Sequence, residues 1–158
     1  MLPQEVIQLV GKAGDIVTYE VERGAIKKFA DAVGDPNPLY WDDEYARSTR
    51  FGTIVAPPGF FGWPTKWTTA MPFFSGLRQD MIDTISKAGY SRALDGGVEY
   101  DLYCPVRAGD TLSSLSKVKD VLERETKTGN MLLSVMETTY TNQNGDVVAK
   151  ARQTIIHR

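Results

Sequence analysis

Residues 16–21 alternate Ile16, Thr18 and Glu20 with Val17, Tyr19 and Val21, the two-residue period of a half-buried strand. From Gly24 the period changes. Ile26, Phe29, Ala30 and Val33 fall at i, i+3, i+4 and i+7, which predicts a helix, and Gly34 follows as a residue able to take the left-handed conformation that closes one. The run Asp35-Pro36-Asn37-Pro38 has to be extended, because each proline disfavours helical geometry at the residue before it and has no N–H to donate. Asp42 or Asp43 is placed to cap a short helix through Tyr45 and Ala46. A further helix is expected to start at Pro57 and Pro58, which suit a first turn, and to continue through Gly59, Phe60 and Phe61 to about residue 70, with Gly62 and Pro64 as break or kink points. Leu77, Met81 and Ile85 recur every four residues and predict an amphipathic helix that Gly89 ends; residues 71–90 read as a lid or groove wall.

The second half alternates instead. Val98, Tyr100, Leu102 and Cys104 interleave with Glu99, Asp101 and Tyr103 until Pro105 stops the run, and Ala108-Gly109-Asp110 makes a turn. Residues 111–123 form a long strand whose apolar phase slips between Leu112 and Leu115, the mark of a bulge. Residues 131–141 and 147–156 are two more strands, and Asn144-Gly145 between them is a hairpin signal, since both residues tolerate positive φ. The expected class is α+β: an antiparallel sheet has to cover one face with helix. A five-stranded antiparallel sheet wrapped around a central apolar helix is the hot-dog arrangement, and residues 57–70 are the candidate for that helix.

Composition narrows the reading. With 158 residues, one domain over residues 1–158 is expected, large enough to bury roughly 70% of its unfolded surface. Hydrophobic residues make up 42% and charged residues 24%, and 18 Lys+Arg against 20 Asp+Glu leave a net charge of −2, which disfavours a disordered tail and a basic nucleic-acid binder. The one cysteine, Cys104, and the one histidine, His157, argue against an internal disulfide framework and against multi-cysteine or multi-histidine metal sites, so neither a metal nor a cofactor is expected. The first residues lack a basic, apolar leader, and no window approaches the ~20 apolar residues of a membrane span, so a cytoplasmic protein without membrane or nucleic-acid partners is expected. Ten of the 16 aromatics and six of the eight prolines nevertheless lie within residues 36–74, and residues 51–79 contain no Asp or Glu, which marks this stretch as core or as the wall of an apolar groove.

The run Gly34-Asp35-Pro36-Asn37-Pro38-Leu39-Tyr40 resembles the signature of the MaoC-like dehydratases, the (R)-specific enoyl-CoA hydratase family, in which a helix ends in Gly-Asp-x-Asn-Pro, an aliphatic residue and histidine. Tyr40 stands where that family has its histidine. Residues 54–60 (IVAPPGF), 94–100 (LDGGVEY), 105–111 (PVRAGDT) and 151–158 (ARQTIIHR) extend the resemblance to the N-terminal-type domain of this family, the type of the substrate-holding subunit in heterodimeric dehydratases. It implies a hot-dog fold, an acyl-CoA or acyl-carrier thioester substrate, and reversible addition of water to a trans-2-enoyl thioester giving the (R)-3-hydroxyacyl product. Such chemistry needs a carboxylate and a second proton-handling group near one water, with donors for the thioester oxygen as it gains charge. The site residues implied are Asp35 and Tyr40 as catalytic groups, Asn37 to orient water, Gly59 and Phe60 N–H as oxygen donors, and Phe61, Trp63 and Trp67 along the acyl chain.

Tyrosine is a poor base at neutral pH, its unperturbed pKa lying near 10, whereas histidine titrates near 6.5. The resemblance therefore implies a pair of hot-dogs, a homodimer or a heterodimer with a histidine-bearing MaoC-like subunit, in which this chain mainly supplies the acyl groove. Simpler readings stand beside it. Asp35 also suits a turn, Tyr40 and Trp41 suit packing, His157 suits a structural or exposed role, and Arg47, Arg50, Lys66, Arg78, Arg92 and Arg107 suit a solvated surface as well as CoA phosphates. Two other activities compete: an acyl-CoA thioesterase using Glu99 or Asp101 on a strand, and a non-catalytic acyl-binding subunit.

Overall fold

Strands β1 (Val17–Glu20), β2 (Ala93–Leu102), β3 (Thr111–Thr126), β4 (Gly129–Thr141) and β5 (Val147–His157) pair antiparallel throughout, in the order β1-β3-β4-β5-β2. The structure is a computed structural model and describes residues 2–61, 76–127 and 129–158. The α+β class with a five-stranded antiparallel sheet is the one expected.

The helices are α1 (Gln4–Ile7), α2 (Arg23–Val33), α3 (Asp43–Ser48) and α4 (Leu77–Lys87), with a 3-10 turn at Pro38–Tyr40. Helix α2 buries Ile26 and Ala30 of its predicted stripe, while Val33 stays exposed. Asp42, the nearer of the two candidate caps, accepts the N–H groups of Glu44 (2.9 Å) and Tyr45 (3.0 Å) and starts α3. One buried cluster joins α2, the 3-10 turn, Ile54, Val55, Phe60 and Phe61 to Leu112, Val148 and Ala149. A second joins Val6 and Leu9 and the α4 residues Met81 and Ile85 to Val118, Val121, Leu132, Met136 and Ile155. Helix α4 is thus a core helix, not the lid or groove wall read over residues 71–90; residues 71–75 lie outside the described residues.

Three further expectations change, and the expected β4–β5 hairpin forms with a turn of its own kind. Residues 57–61 form no helix: Phe60 N–H donates to Pro57 O (3.0 Å) around a turn in which Gly59 has φ +86°. Proline suits the second position of a turn as well as a first helical turn, and the positive φ at the next residue decides for the turn. The rest of that expected helix, with Trp63 and Trp67, lies outside the described residues. The bulge in β3 falls between Val118 and Asp120 rather than between Leu112 and Leu115. The apparent slip arises because Ser114 and Ser116, not apolar side chains, fill the inward positions between Leu112 and Val118. Within the β4–β5 hairpin only Gly145 takes positive φ (+87°): its N–H bonds Asn142 O (3.0 Å), and Asn142 Oδ1 accepts from Asn144 and Asp146 N–H. That is a type I turn closed by a left-handed residue, which asks nothing unusual of Asn144. Finally, β2 is exposed on both faces, Val98, Tyr100 and Leu102 of the inward face at 45, 40 and 50% and Leu94 of the outer face at 53%, because β2 is an edge strand that no described element covers.

Candidate active site

The Asp35 loop is shaped by how α2 ends. Gly34, at φ +69°, lets its own N–H reach Asp31 O (3.0 Å) and that of Asp35 reach Ala30 O (2.9 Å), a Schellman closure that fixes where Asp35 leaves the helix. The loop then holds itself. Asn37 N–H donates to Asp35 Oδ1 (3.0 Å), Leu39 N–H donates to Asn37 Oδ1 (3.1 Å), and the Trp41 indole N–H donates to Asp35 O (2.9 Å). Pro36 and Pro38 remove two N–H groups that would otherwise need partners. Among the described residues the second carboxylate oxygen of Asp35 makes no hydrogen bond within this loop, and the Asp35 and Asn37 side chains are half-buried. The residue is both a turn former and a carboxylate with one oxygen to spare.

Tyr40 is buried in the first core cluster. Burial, and then the neighbouring Asp35 carboxylate, push its phenol above the usual tyrosine value, so the group stays protonated across the neutral range. Where the resemblance implies histidine, this chain has a hydrogen-bond donor and not a base.

The candidates from residues 54–61 come to the same end of the sheet. Val55 N–H donates to Leu39 O (3.3 Å), Ala56 N–H to Val106 O (2.8 Å), and Phe60 stacks on Phe29 of α2 with ring centroids 4.8 Å apart. Phe61 stacks on Tyr140 (4.4 Å) and tilts against Tyr100 (5.5 Å). Both phenylalanines are buried, so their described contacts are with the core. The turn at Gly59 uses the Phe60 N–H, which among the described residues leaves Gly59 N–H as the available donor of the two implied for the thioester oxygen. A Cβ on Gly59 would meet Tyr100 Cε2 at 3.5 Å.

Three tyrosines besides Tyr40 have no role that the sequence alone assigns. Tyr19, Tyr100 and Tyr140 gather on the inward face at this end, and burial pushes all three phenols up, Tyr140 to about 12. The alternation of β2 and β4 could have assigned Tyr100 and Tyr140 to one face, but nothing local shows that Phe61, from a turn, lies on them. The strand acids of the thioesterase reading lie elsewhere. Glu99 and Asp101 are on the outer face, 3.7 and 2.7 Å from Arg152, where the guanidinium hydrogen bond holds the Asp101 carboxyl below the usual range. Of the basic residues, Arg50 lies over the Phe51 ring and Arg107 Nε donates to Phe51 O (3.4 Å), close to the Leu39–Val55 link, whereas Arg78 donates to Gln153 at the other end. His157 is fully buried, not exposed: its Nε2 is 2.8 Å from Ser134 Oγ at the far end of β5. No group of His, Cys, Asp and Glu among the described residues could hold a metal ion, and no described helix is long and apolar enough to cross a membrane.

Comparison with known proteins agrees with this architecture. Residues 8–151 match the family described as FAS1-like, dehydratase domain region. A UPF0336 protein of Streptomyces avermitilis is 37% identical over 103 residues, which cover 65% of this chain and 63% of the relative. A probable enoyl-CoA hydratase alpha subunit of Thermomonospora curvata is 29% identical over 80% of this chain but only 41% of its own length. The crystal structure of the ChsH1-ChsH2 complex from Mycobacterium tuberculosis superposes with a TM-score of 0.80 at 21% identity, covering 97% of this chain and 93% of that one. The fold is the hot-dog of the MaoC-like dehydratases.

Proposed function

Because the chain belongs to the FAS1-like dehydratase-region family, we propose that it is a component of an acyl-thioester hydratase, reversibly adding water to a trans-2-enoyl-CoA to give the (R)-3-hydroxyacyl-CoA within a pair of hot-dog subunits. The observation that carries this reading is the Asp35 loop: the carboxylate and Asn37 of the signature are held by their own backbone, and beside them the histidine position holds a buried, protonated phenol. In hydration the water loses a proton to a base as its oxygen bonds C3, and C2 receives a proton from an acid. Asp35 is suited to accept or orient at the water. Tyr40 can donate but cannot cycle as base near neutral pH. The thioester oxygen, which gains charge, would face the Gly59 N–H.

The missing base is assigned to a histidine of a second hot-dog subunit, with this chain mainly supplying the groove for the acyl group. The relative named as an alpha subunit and the neighbour solved as a complex of two different chains support a paired arrangement. So does the edge strand β2, whose outer backbone edge is unpaired among the described residues and whose exposed Val98, Tyr100 and Leu102 suit addition of another strand.

The test is crotonyl-CoA hydration by the pure chain, and by the chain mixed with a histidine-bearing MaoC-like subunit, with free thiol followed in parallel. Turnover only in the mixture, without thiol release, is expected. Robust turnover by the isolated chain removes the partner from the proposal, and thiol release replaces hydration by hydrolysis. The buried Tyr40 also favours a second reading, a purely acyl-binding subunit, and an unaltered rate on Asp35→Asn in the active assembly would select it.

A further inference from the structure

The outer face of the sheet carries two parallel rows that no described element covers. In one, strand register places Leu122 of β3 beside Leu133 of β4, Leu133 beside Ile156 of β5, and Ile156 beside Leu94 of β2. None of these four joins either core cluster, and Leu94 and Leu122 at the ends are 53 and 38% exposed. Single exposed apolar residues are ordinary, but an unbroken line of them across four strands is not. In the other row, four residues along β4, register places Lys117 beside Glu137, Glu137 beside Arg152, and Arg152 beside Glu99. Lys119 reinforces the first position (2.6 Å to Glu137) and Asp101 the last (2.7 Å to Arg152). Read across β3, β4, β5 and β2, the charges run plus, minus, plus, minus.

That order is antisymmetric about the line between β4 and β5. A two-fold axis along that line turns the row end for end, so that each cation meets an anion, Glu137 facing Arg152 and Lys117 facing Glu99. The apolar row meets itself, Leu94 on Leu122 and Leu133 on Ile156. An in-plane axis across the strands would instead set like charges face to face. We propose that two copies of this chain pack outer face to outer face about a two-fold axis running along the strands between β4 and β5. Isologous contacts need a surface that complements itself under rotation, and aligned sheets pack at about 10 Å with interdigitated side chains. An anionic lipid surface would call for an excess of one sign, and the charged row has none. The proposed face is separate from the backbone edge of β2 and does not depend on the activity.

Leu94 and Leu122 supply the test, because within one chain they are separated by two intervening strands, about 14 Å across the sheet. They meet only between copies. Leu94→Glu and Leu122→Lys, both at exposed positions, should each leave the melting temperature close to that of the parent while weakening self-association about tenfold or more in sedimentation equilibrium. An equimolar mixture of the two single variants should recover association, since one copy's glutamate then faces the other's lysine. A Glu137→Lys variant provides an independent reading, and it should weaken the dimer while Glu137→Lys with Arg152→Glu restores it. A parent chain that stays monomeric at the highest concentration reached overturns the proposal. So does Leu122→Lys with unchanged association, which would place self-association on another surface, or a mixture that fails to recover. Binding of the parent to vesicles of anionic phospholipid, abolished by Leu94→Glu, would assign the row to lipid instead.

Discussion

At one end of the sheet Asp35 and Asn37 give their side-chain oxygens to N–H groups of their own loop, while at the other His157 and Ser134 are buried and hydrogen-bonded to each other. The first arrangement is satisfied locally and remains half open to solvent. The second is closed: among the described residues His157 Nδ1 has no partner, and burial, then the nearby Arg78 guanidinium, hold the imidazole at a pKa of about 4. The lone histidine of a chain is the obvious acid–base candidate by residue type, yet here it is neutral, sealed and remote from the loop. The comparison shows that access and pairing, more than intrinsic pKa, separate a group able to act on a substrate from one that shapes the fold.

The sharpest way to break that contrast is Asp35→Asn in the active assembly. Asparagine keeps an Oδ1 to accept the Asn37 N–H, so the loop should persist and the melting temperature should hardly move. Loss of a positioned carboxylate should lower kcat about a hundredfold or more. A small change in kcat would reduce Asp35 to a turn residue and make the two ends alike.

The next largest effect concerns His157 and pH. The folded imidazole takes its proton at about 4 and the unfolded one at 6.5, so between these values the unfolded chain binds more protons and stability falls as pH drops. Up to about 3 kcal/mol present above pH 6.5 should be lost by pH 4. Denaturant melts at a series of pH values measure it, and His157→Phe should flatten the curve across that window. Identical pH curves for parent and variant would mean that the imidazole is open to water after all.

Ser134→Ala tests the same pair more gently. It leaves both ring nitrogens of His157 buried without a partner, at a cost of about 2 kcal/mol, whereas Ser134→Ala with His157→Phe should be much nearer the parent, because removing both partners leaves nothing unsatisfied. Additive losses in that cycle would show that the 2.8 Å contact carries no coupling.

What could be read from the sequence follows the range of the physics. The α2 helix, its glycine closure and the Asp42 cap depend on neighbours within about four residues, and they formed as expected. The Asp35 loop was legible for the same reason: two prolines and two side-chain acceptors act on bonds spanning two residues. Pro57 and Pro58 misled because proline serves helix starts and turns equally well, and Gly59 two residues on is the discriminator. Exposure of β2 was invisible, since alternation reveals a strand but not whether it lies at an edge. Nor could any local signal bring Phe61 onto Tyr140, 79 positions away, or seal His157 one residue from the end.

The smallest predicted effect returns to the loop and asks whether its shape, rather than its carboxylate alone, matters. At Gly34 a Cβ would meet nothing within 4 Å, so Gly34→Ala is penalised only by the φ of +69°, about 1 kcal/mol. The strain can be relieved only by turning the backbone where Asp35 leaves α2, which displaces the carboxylate. A thermal melt should therefore show a modest loss, while kcat of the assembly should drop by more than 1 kcal/mol of stability can account for in a chain that stays folded. A matched loss of stability with unchanged kcat would show that Asp35 tolerates displacement, as a turn residue does and a group aligned on a reacting water does not.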